Sequence, residues 1–305
     1  MMTYNLRLIT TIILLFTPFL LSAQSEIAFI ADTQAKLKLE KIISKNEQNK
    51  QATDSLCAYI LRRQPTALFM LGDIVNSGSS LKKWKIMDLF FNALQQKNIK
   101  YYAIQGNHEY MFDAKKGMEN FERRFGKLND NINFRVIDSV AVVMINSNFT
   151  KLATAEIQNM LSRYAAVMDS LQLSQNVKCI VVATHHPPFT NSKIVKPSSE
   201  VADMIVPKYI ETPKAVVFLS GHAHLLEVFE YGGKHFCVIG GGGGRKQQQR
   251  KGDNQRYKNL IDDAEYYRYF YITTVRDANF LHINIHGMNI DEWTEKSKKL
   301  LTVEF

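Results

Sequence analysis

Polar side chains follow five short apolar runs in this 305-residue sequence, and most of them are of types that bind metal ions. Each run has the length of a buried strand, and the polar residues come where the strand would end. Because the carboxyl ends of parallel strands meet at one edge of a sheet, we expect these side chains to line one cleft. In chain order they are Asp32 and Gln34, Asp73 and Asn76, Asn107 and His108, His185 and His186, and His222 and His224.

Metal ions are the natural partners of such a cluster. Without compensation, carboxylate, amide and imidazole groups gathered in one cleft would be costly to desolvate. The mixed oxygen and nitrogen donors suit Mn²⁺, Fe or Zn²⁺ better than Ca²⁺. A single histidine after a strand is more often a structural residue than a ligand, so the prediction depends on the whole set.

The surrounding pattern predicts an α/β protein, because short apolar runs alternate with amphipathic stretches. Residues 85–96 form one predicted helix, with apolar residues at helical spacing at Ile86, Leu89, Phe90 and Leu94, and residues 155–171 form another. Late in the chain, residues 225–240 are predicted to form two strands joined by a glycine turn. The other predicted strands are 67–71, 100–104, 140–148, 178–184, 215–220, 267–275 and 280–285.

The first 23 residues have the layout of a secretory signal peptide. Arg7 precedes an apolar run at 8–21, and small residues at 22–24 supply a cleavage site. The alternative is a membrane anchor, but the run is shorter than the roughly 20 apolar residues that a spanning helix needs. Pro18 also interrupts it. We therefore expect residues 24–305 to form one exported domain, periplasmic or secreted, with no transmembrane span.

The net charge of the sequence is +9, and much of the excess is local. Basic residues dominate the segment from Arg245 to Lys258, where Asp253 is the single acid. A basic segment beside the cleft would favour polyanionic substrates. Nucleic acid is possible but unsupported as a partner, because only Tyr257 offers an aromatic ring for base stacking among these charges. The three cysteines lie in predicted elements and are interpreted as core residues.

The ordered series DTQ, GDIVN, GNHE, HHPP and GHAH resembles the motifs of calcineurin-like metallophosphoesterases, in particular the branches similar to purple acid phosphatases. The resemblance implies a four-layer α/β/β/α sandwich of two mixed sheets flanked by helices. It also implies hydrolysis of a phosphate ester by a hydroxide held between two metal ions about 3.5–4 Å apart. A phosphodiesterase or nuclease acting on nucleotides would use the same site, and a non-catalytic phosphate-binding relative is the third alternative.

The resemblance implies a site for two divalent ions bridged by the carboxylate of Asp73. The ions would be Mn, Fe or Zn, with Mg also suited to the side of Gln34. His108 would contact the scissile phosphate and protonate the leaving group. The remaining ligands would divide between the ions, with Asp32, Gln34 and His224 at the first and Asn107, His185 and His222 at the second.

Two residues depart from the common family pattern. Gln34 stands where most members have histidine, and its neutral amide oxygen favours harder ions such as Mn²⁺ or Mg²⁺. Asn76 stands where aspartate is common, so its side chain can orient His108 without stabilising a positive charge on it. We therefore predict a first metal site with one exchanged ligand and a weaker general acid at His108.

Further residues are predicted to support the ligands or to contact the substrate. The glycines at 240–244 would let backbone amides approach a phosphate closely. Alternatively, they form a flexible connection into a solvated basic loop. The supporting residues are Asn76, His186, Gly241, Gly242 and Arg245. The oligomeric state is not predicted.

Overall fold

The computed structural model describes residues 25–35, 48–262, 266–289 and 293–305. The predicted signal peptide at 1–23 lies outside these residues. The first elements are strand β1 (Glu26–Ile30), helix α1 (Asn49–Arg63), strand β2 (Ala67–Leu71), helix α2 (Leu81–Gln96) and strand β3 (Lys100–Ile104). Strands β2 and β3 have the bounds that the sequence predicted.

The rest of the chain continues the alternation and then becomes rich in strands. Helix α3 (Ala114–Phe125), strands β4 (Ile132–Ile137) and β5 (Val140–Ile145), and helix α4 (Thr154–Leu173) come first. Strand β6 and the short helices α5 and α6 lead to strand β7, and five more strands follow. Their bounds are β6 Cys179–Thr184, α5 Ser199–Met204, α6 Val206–Glu211, β7 Ala215–Ser220, β8 Leu226–Tyr231, β9 Lys234–Ile239, β10 Phe270–Asp277, β11 Phe280–Asn289 and β12 Thr294–Glu304.

Two mixed sheets of six strands each form the centre of the molecule. The first has the order β12-β11-β10-β1-β2-β3, and the second has the order β4-β5-β6-β7-β9-β8. Strands β1, β2 and β3 run parallel in the first sheet, and β5, β6 and β7 run parallel in the second. Each sheet therefore brings several carboxyl ends to one edge, as the clustering of polar residues requires.

Three apolar layers separate these elements and define the predicted four-layer sandwich. Phe29 and Phe69 of the first sheet pack with Val181 and Leu219 of the second in the central layer. Helices α1 to α3 cover the outer face of the first sheet, and helices α4 to α6 cover the outer face of the second. The α/β/β/α prediction is confirmed. Among the described residues, the helices are all too short or too polar to cross a bilayer.

The buried face of α2 agrees with the prediction at Phe90 and Leu94, which are buried, and differs from it at Ile86 and Leu89. Ile86 and Leu89 were expected to face the core, but they are 51% and 73% exposed. Trp84 is fully buried instead, and its indole N–H donates a hydrogen bond to the carbonyl of Gly78 at 2.7 Å. This bond fixes the rotation of the helix, because a buried indole N–H needs an acceptor.

Candidate metal centre

The carboxyl ends of the parallel strands converge, and the predicted ligands converge with them. Ligand atoms of Asp32, Asp73 and His185 lie within 4.8 Å of one another. Ring nitrogens of His185, His186 and His222 form a second group and also lie within 4.8 Å of one another. Both aspartates and His185 are buried. The two sheets thus bring residues 190 positions apart in the sequence into a single cluster.

The loops after β1 and β2 adopt unusual backbone conformations at the two aspartates. Asp32 and Asp73 have positive φ angles of 61° and 51°. The amide of Asp32 donates to the carbonyl of Gly72 at 3.1 Å, and the amide of Gln34 donates to the carbonyl of Asp73 at 3.1 Å. Non-glycine residues with positive φ are uncommon and concentrate where function requires a defined geometry. The two loops therefore hold each other and turn both carboxylates toward the cluster.

Asp32 joins the first sheet to the loop that contains His222 and His224. Its carboxylate accepts a hydrogen bond from the amide of His222 at 2.9 Å, and one of its oxygens lies 3.5 Å from His224 Nε2. A side chain at Gly221 would meet this carboxylate, since an added Cβ would lie 2.6 Å from Asp32 Oδ2. Glycine at this position allows the close approach of the two loops.

Main-chain carbonyls orient two of the predicted histidine ligands. His185 Nδ1 lies 2.8 Å from the carbonyl of Leu71, and His224 Nδ1 lies 2.6 Å from the carbonyl of Arg245. Each Nδ1–H donates to its carbonyl, so each Nε2 is directed toward the carboxylates. His185 Nε2 lies 3.4 Å from Asp73 Oδ2 and 3.2 Å from Asn107 Oδ1. Such a carbonyl partner on the second ring nitrogen is typical of metal-binding histidines.

The electrostatics of this cluster favour a bound cation. Burial alone would raise the pKa of Asp73, but the adjacent His185 holds this pKa well below its usual range. Burial would lower the pKa of His185, yet the charge of Asp73 raises it to about 9. The buried carboxylate therefore attracts positive charge strongly, and a divalent ion would compete with the proton for the same place.

Gln34 presents an oxygen to the cluster. In the amide orientation that satisfies its neighbours, the nitrogen donates to the carbonyls of Asp73 at 2.9 Å and Asp32 at 3.1 Å. The amide oxygen then lies 3.2 Å from His224 Nε2. In this orientation the backbone occupies the nitrogen, and the oxygen accepts from His224 Nε2, beside the predicted first ion. The donor set of carboxylates, amide oxygens and imidazoles fits divalent metal cations.

His108 is held next to Asp73 from two sides. Its amide donates to Asp73 Oδ1 at 2.8 Å, and its Nε2 lies 3.8 Å from Asp73 Oδ2. Its Nδ1 lies 3.2 Å from the carbonyl of Asn76. This contact uses the main chain of residue 76, so it does not depend on whether the side chain is asparagine or aspartate. The main-chain carbonyl of Asn76 therefore orients His108 at Nδ1, where the prediction had assigned this role to the Asn76 side chain.

Glu109 has a structural role that the sequence did not reveal. This fully buried carboxylate accepts hydrogen bonds from the amides of Asp73, Ile74 and Val75 after β2 and of Gly106 after β3. Burial, followed by the charge of Asp73, raises the pKa of Glu109 to about 7. The last residue of the GNHE motif therefore ties the two loops that carry Asp73 and Asn107. The sequence signal for this role was the position of Glu109, an acid directly after the predicted site residues Asn107 and His108.

Ser147 is a second residue that sequence reasoning missed. It follows β5, and its Oγ accepts a hydrogen bond from the amide of His186 and lies 2.9 Å from His186 Nδ1. The ring of His186 in turn contacts the rings of His185 and His222, with centroids 4.9 Å and 4.6 Å apart. The signal was the polar triplet Asn146-Ser147-Asn148 at the end of an apolar strand, which is the same pattern that identified the predicted ligands.

The glycine run packs against the metal ligands and does not offer all of its amides to a substrate. The amide of Gly242 donates to the carbonyl of Ala31 at 2.9 Å, and that of Gly244 donates to the carbonyl of Asp32 at 2.8 Å. An added Cβ at Gly244 would lie 2.4 Å from the ring of His224. The amide of Gly242 already has an acceptor, which agrees with a role in supporting the ligand loop, and a contact of this residue with the substrate stays a prediction. The carbonyl of Gly241 accepts a hydrogen bond from the amide of Phe270, so this glycine is also held by the surrounding main chain.

Residues 25–226 match the model of the calcineurin-like phosphoesterase family. The chain therefore belongs to this family, as the motif series predicted. No curated protein matches the sequence.

Solved structures with the same fold include enzymes and one protein described as an anchor. A purple acid phosphatase from yellow lupin (Lupinus luteus) seeds has a TM-score of 0.64 at 11% identity, over 91% of this chain and 54% of the lupin chain. This chain thus spans about half the length of that enzyme. A dimetal phosphatase from Danio rerio has a TM-score of 0.54 at 10% identity, over 90% of this chain and 98% of the Danio rerio chain. GAP50, the anchor in the inner membrane complex of Plasmodium, has a TM-score of 0.58 at 13% identity, over 91% of this chain and 88% of the GAP50 chain. At these identities the likeness concerns the fold.

Proposed function

We propose that this protein is an exported, metal-dependent phosphoesterase that hydrolyses a phosphate ester at the cluster around Asp73. The observation that carries the proposal is the convergence of Asp32, Asp73 and His185 within 4.8 Å in a member of the calcineurin-like phosphoesterase family. Export is proposed from the signal-peptide pattern of residues 1–23.

The predicted ligands would hold two divalent ions, with Asp73 between them. Asp32, Gln34 and His224 would serve the first ion, and Asn107, His185 and His222 the second. When bound, such ions supply a nucleophile near neutral pH by lowering the pKa of water, and they neutralise charge on the phosphoryl group. The carbonyls of Leu71 and Arg245 would keep the two histidine rings turned for this purpose.

His108 is the residue of this chain that we assign to the leaving group. Its Nδ1–H donates to the carbonyl of Asn76, which fixes the ring and leaves Nε2 directed toward the cluster. A proton on Nε2 would pass to the ester oxygen as the bond to phosphorus breaks. The side chain is 15% exposed, so a substrate entering the cleft could reach it.

The test is hydrolysis of an aryl phosphate monoester and of the matching diester by residues 24–305 with added Mn²⁺. Asp73→Ala, run in parallel, should abolish the activity because it removes the carboxylate shared by both ions. The preferred ester separates a phosphatase from a phosphodiesterase. Absence of hydrolysis on both esters with Mn²⁺, Fe²⁺ and Zn²⁺ would favour the non-catalytic alternative. Cell fractionation with sequencing of the mature N-terminus tests export separately.

A further inference from the structure

The rings of His185, His186 and His222 form a group of three imidazoles at the carboxyl ends of β6 and β7. Ring nitrogens of all three lie within 4.8 Å of one another. The ring centroid of His185 lies 4.9 Å from that of His186 and 5.1 Å from that of His222, and the latter two centroids are 4.6 Å apart. The ring planes are tilted against one another by 56° to 85°, so the rings converge without stacking face to face.

These separations match those of histidines that bind one ion together. Zn–N distances of about 2.0–2.1 Å, with angles of about 90–109° at the ion, place imidazole centroids roughly 4.4–5.2 Å apart. All three measured separations fall in this interval. The arrangement of the three rings therefore suits a single ion bound by all of them.

Ser147 supports the ring of His186 in an orientation that suits metal binding. The Oγ of Ser147 lies 2.9 Å from His186 Nδ1 and accepts from the His186 amide at 2.9 Å. A proton on Nδ1 that donates to this oxygen leaves Nε2 with a free lone pair. An acceptor on the second ring nitrogen is typical of metal-binding histidines. His186 thus has from Ser147 the same kind of support that His185 has from the carbonyl of Leu71.

The main chain joins the loops that carry these rings. The amide of Gly221 donates to the carbonyl of His185 at 3.0 Å, which connects the loop after β7 to the loop after β6. Thr184 Oγ1 donates to the carbonyl of His186 at 2.8 Å. Because these bonds fix the backbone beside the rings, little ordering would be needed when an ion binds.

The three-imidazole group differs in chemistry from the group around Asp73. Asp32, Asp73 and His185 offer two carboxylates and one imidazole, whereas the three histidines offer only nitrogen. Imidazole suits Zn²⁺, and carboxylate oxygens suit harder ions such as Mn²⁺. Since the ring of His185 belongs to both groups, the two positions are adjacent and differ in their donors.

We propose that His186 is itself a ligand of the second ion, so that this position holds three imidazoles and prefers Zn²⁺. The inference rests on the proposed function, which places an ion at Asn107, His185 and His222. It gives His186 a direct bond to the ion in place of the supporting or substrate-binding role expected from the sequence. The consequence is a centre with Zn²⁺ at the nitrogen-rich position and a harder ion on the side of Gln34.

The experiment is calorimetric titration of the metal-free mature protein, residues 24–305, with Zn²⁺ and with Mn²⁺. His186→Gln keeps the approximate size and the polarity of the side chain but offers an amide oxygen in place of the ring nitrogen. We expect the preference for Zn²⁺ over Mn²⁺ to fall by about tenfold or more in this variant, with the affinity for Mn²⁺ little changed. A residue that only packs beside the ligands would weaken both ions by the same factor, and that result would overturn the proposal.

The matched control is His282→Gln, which changes a histidine of β11 outside the group and should keep the wild-type preference. Crystals of the wild type grown with Zn²⁺ supply a second readout that does not depend on the folding of a variant. Nε2 of His186 should lie about 2.0–2.1 Å from an ion. A His186 ring whose nitrogens are both more than about 3 Å from every bound ion, or a cluster without Zn²⁺, would overturn the proposal.

The two proposals fail in different ways. Zn²⁺ bound by His186 without hydrolysis of any ester would count against the proposed function and leave the metal assignment in place. Metal-dependent hydrolysis with an unchanged Zn²⁺ preference in His186→Gln would overturn the assignment of His186 and leave the phosphoesterase activity in place.

Discussion

The carboxylate of Glu109 accepts a hydrogen bond from the main-chain amide of Asp73 at 2.8 Å. The same carboxylate oxygen accepts from the amide of Gly106 at 2.7 Å, so one buried acid joins the loop after β2 to the loop after β3. The predicted bridging ligand is therefore placed by a residue that is not itself a predicted ligand. We therefore expect the geometry of the candidate metal centre to depend on this bond.

Replacement Glu109→Gln should destabilise the protein and weaken metal binding together. A glutamine keeps the size of the side chain but turns an NH₂ donor toward backbone amides that need an acceptor. We expect the free energy of unfolding to fall by about 2 kcal/mol, the scale of a buried hydrogen bond to a charged group. Urea denaturation and Mn²⁺ titration would measure both effects. Glu119→Gln, an exposed acid on α3, is the control, and equal results for the two variants would contradict the assigned role.

We expect Gln34 to set the ion preference of the predicted first metal site. Because Gln34 offers an amide oxygen where most family members have an imidazole, Gln34→His should raise the affinity for Zn²⁺ relative to Mn²⁺ by about tenfold. Gln34→Ala should lower the number of ions bound per chain. Metal analysis after dialysis, with competition between the two ions, measures both results. Unchanged stoichiometry in the alanine variant would mean that Gln34 is not a ligand.

Ser147 should act on the reaction through His186. Its Oγ lies 2.9 Å from His186 Nδ1, and it also accepts from the amide of His186. Ser147→Ala would release the ring that packs on His185 and His222, and we expect kcat/KM to fall by about tenfold, as for other residues that orient a metal site. Ser147→Thr keeps the hydroxyl and should restore most of the loss. A purely structural role would instead lower stability in the alanine variant and leave kcat and KM unchanged.

Much of the fold could be predicted from the sequence, because buried parallel strands are continuous apolar runs. The bounds of β2, β3 and β7 agree with the prediction for this reason. Helices α1, α3, α5 and α6 and strands β4 and β12 were not predicted. In α1 the polar residues outnumber the apolar ones, and β12 is an edge strand with lysines on its exposed positions, so neither shows a clear apolar period.

The candidate site could be predicted in its ligands but not in the bonds that hold them. Residues such as Asp73 and His185 are identified by type and by their place after a strand. The contact of His108 with the carbonyl of Asn76 involves main-chain atoms, which carry no signal in the sequence. The bond of Ser147 to His186 joins two strands, and a pairing of that kind depends on the tertiary fold.

We expect His286 to make the stability of the protein depend on pH. Burial, followed by the charge of Arg63, lowers the pKa of this histidine to about 3. Its ring nitrogens lie 2.9 Å from Thr273 Oγ1 and 2.7 Å from Ser297 Oγ, and the folded protein keeps it neutral. The unfolded chain binds a proton near pH 6.5, so the stability from this group is complete above that pH and falls as the pH drops toward 3.

The measurement is urea denaturation at pH 7 and pH 5 of the wild type and of His286→Gln. From pH 7 to pH 5 the free energy of unfolding of the wild type should fall by roughly 2 kcal/mol more than that of the variant, because the variant cannot take up this proton. His282→Gln on the same strand is the control and should retain the wild-type dependence. A variant with the same loss as the wild type would show that His286 is not the group responsible.

Asp73 is predicted to lie between two metal ions at the edge of the two sheets. Crystals grown with Mn²⁺ and measured near the manganese absorption edge would locate the ions by anomalous scattering. This arrangement predicts two peaks about 3.5–4 Å apart. One should be bound by Asp32, Gln34 and His224, and the other by Asn107, His185 and His222, with Asp73 shared. A site without manganese, or ions bound elsewhere with Asp73 unligated, would contradict it.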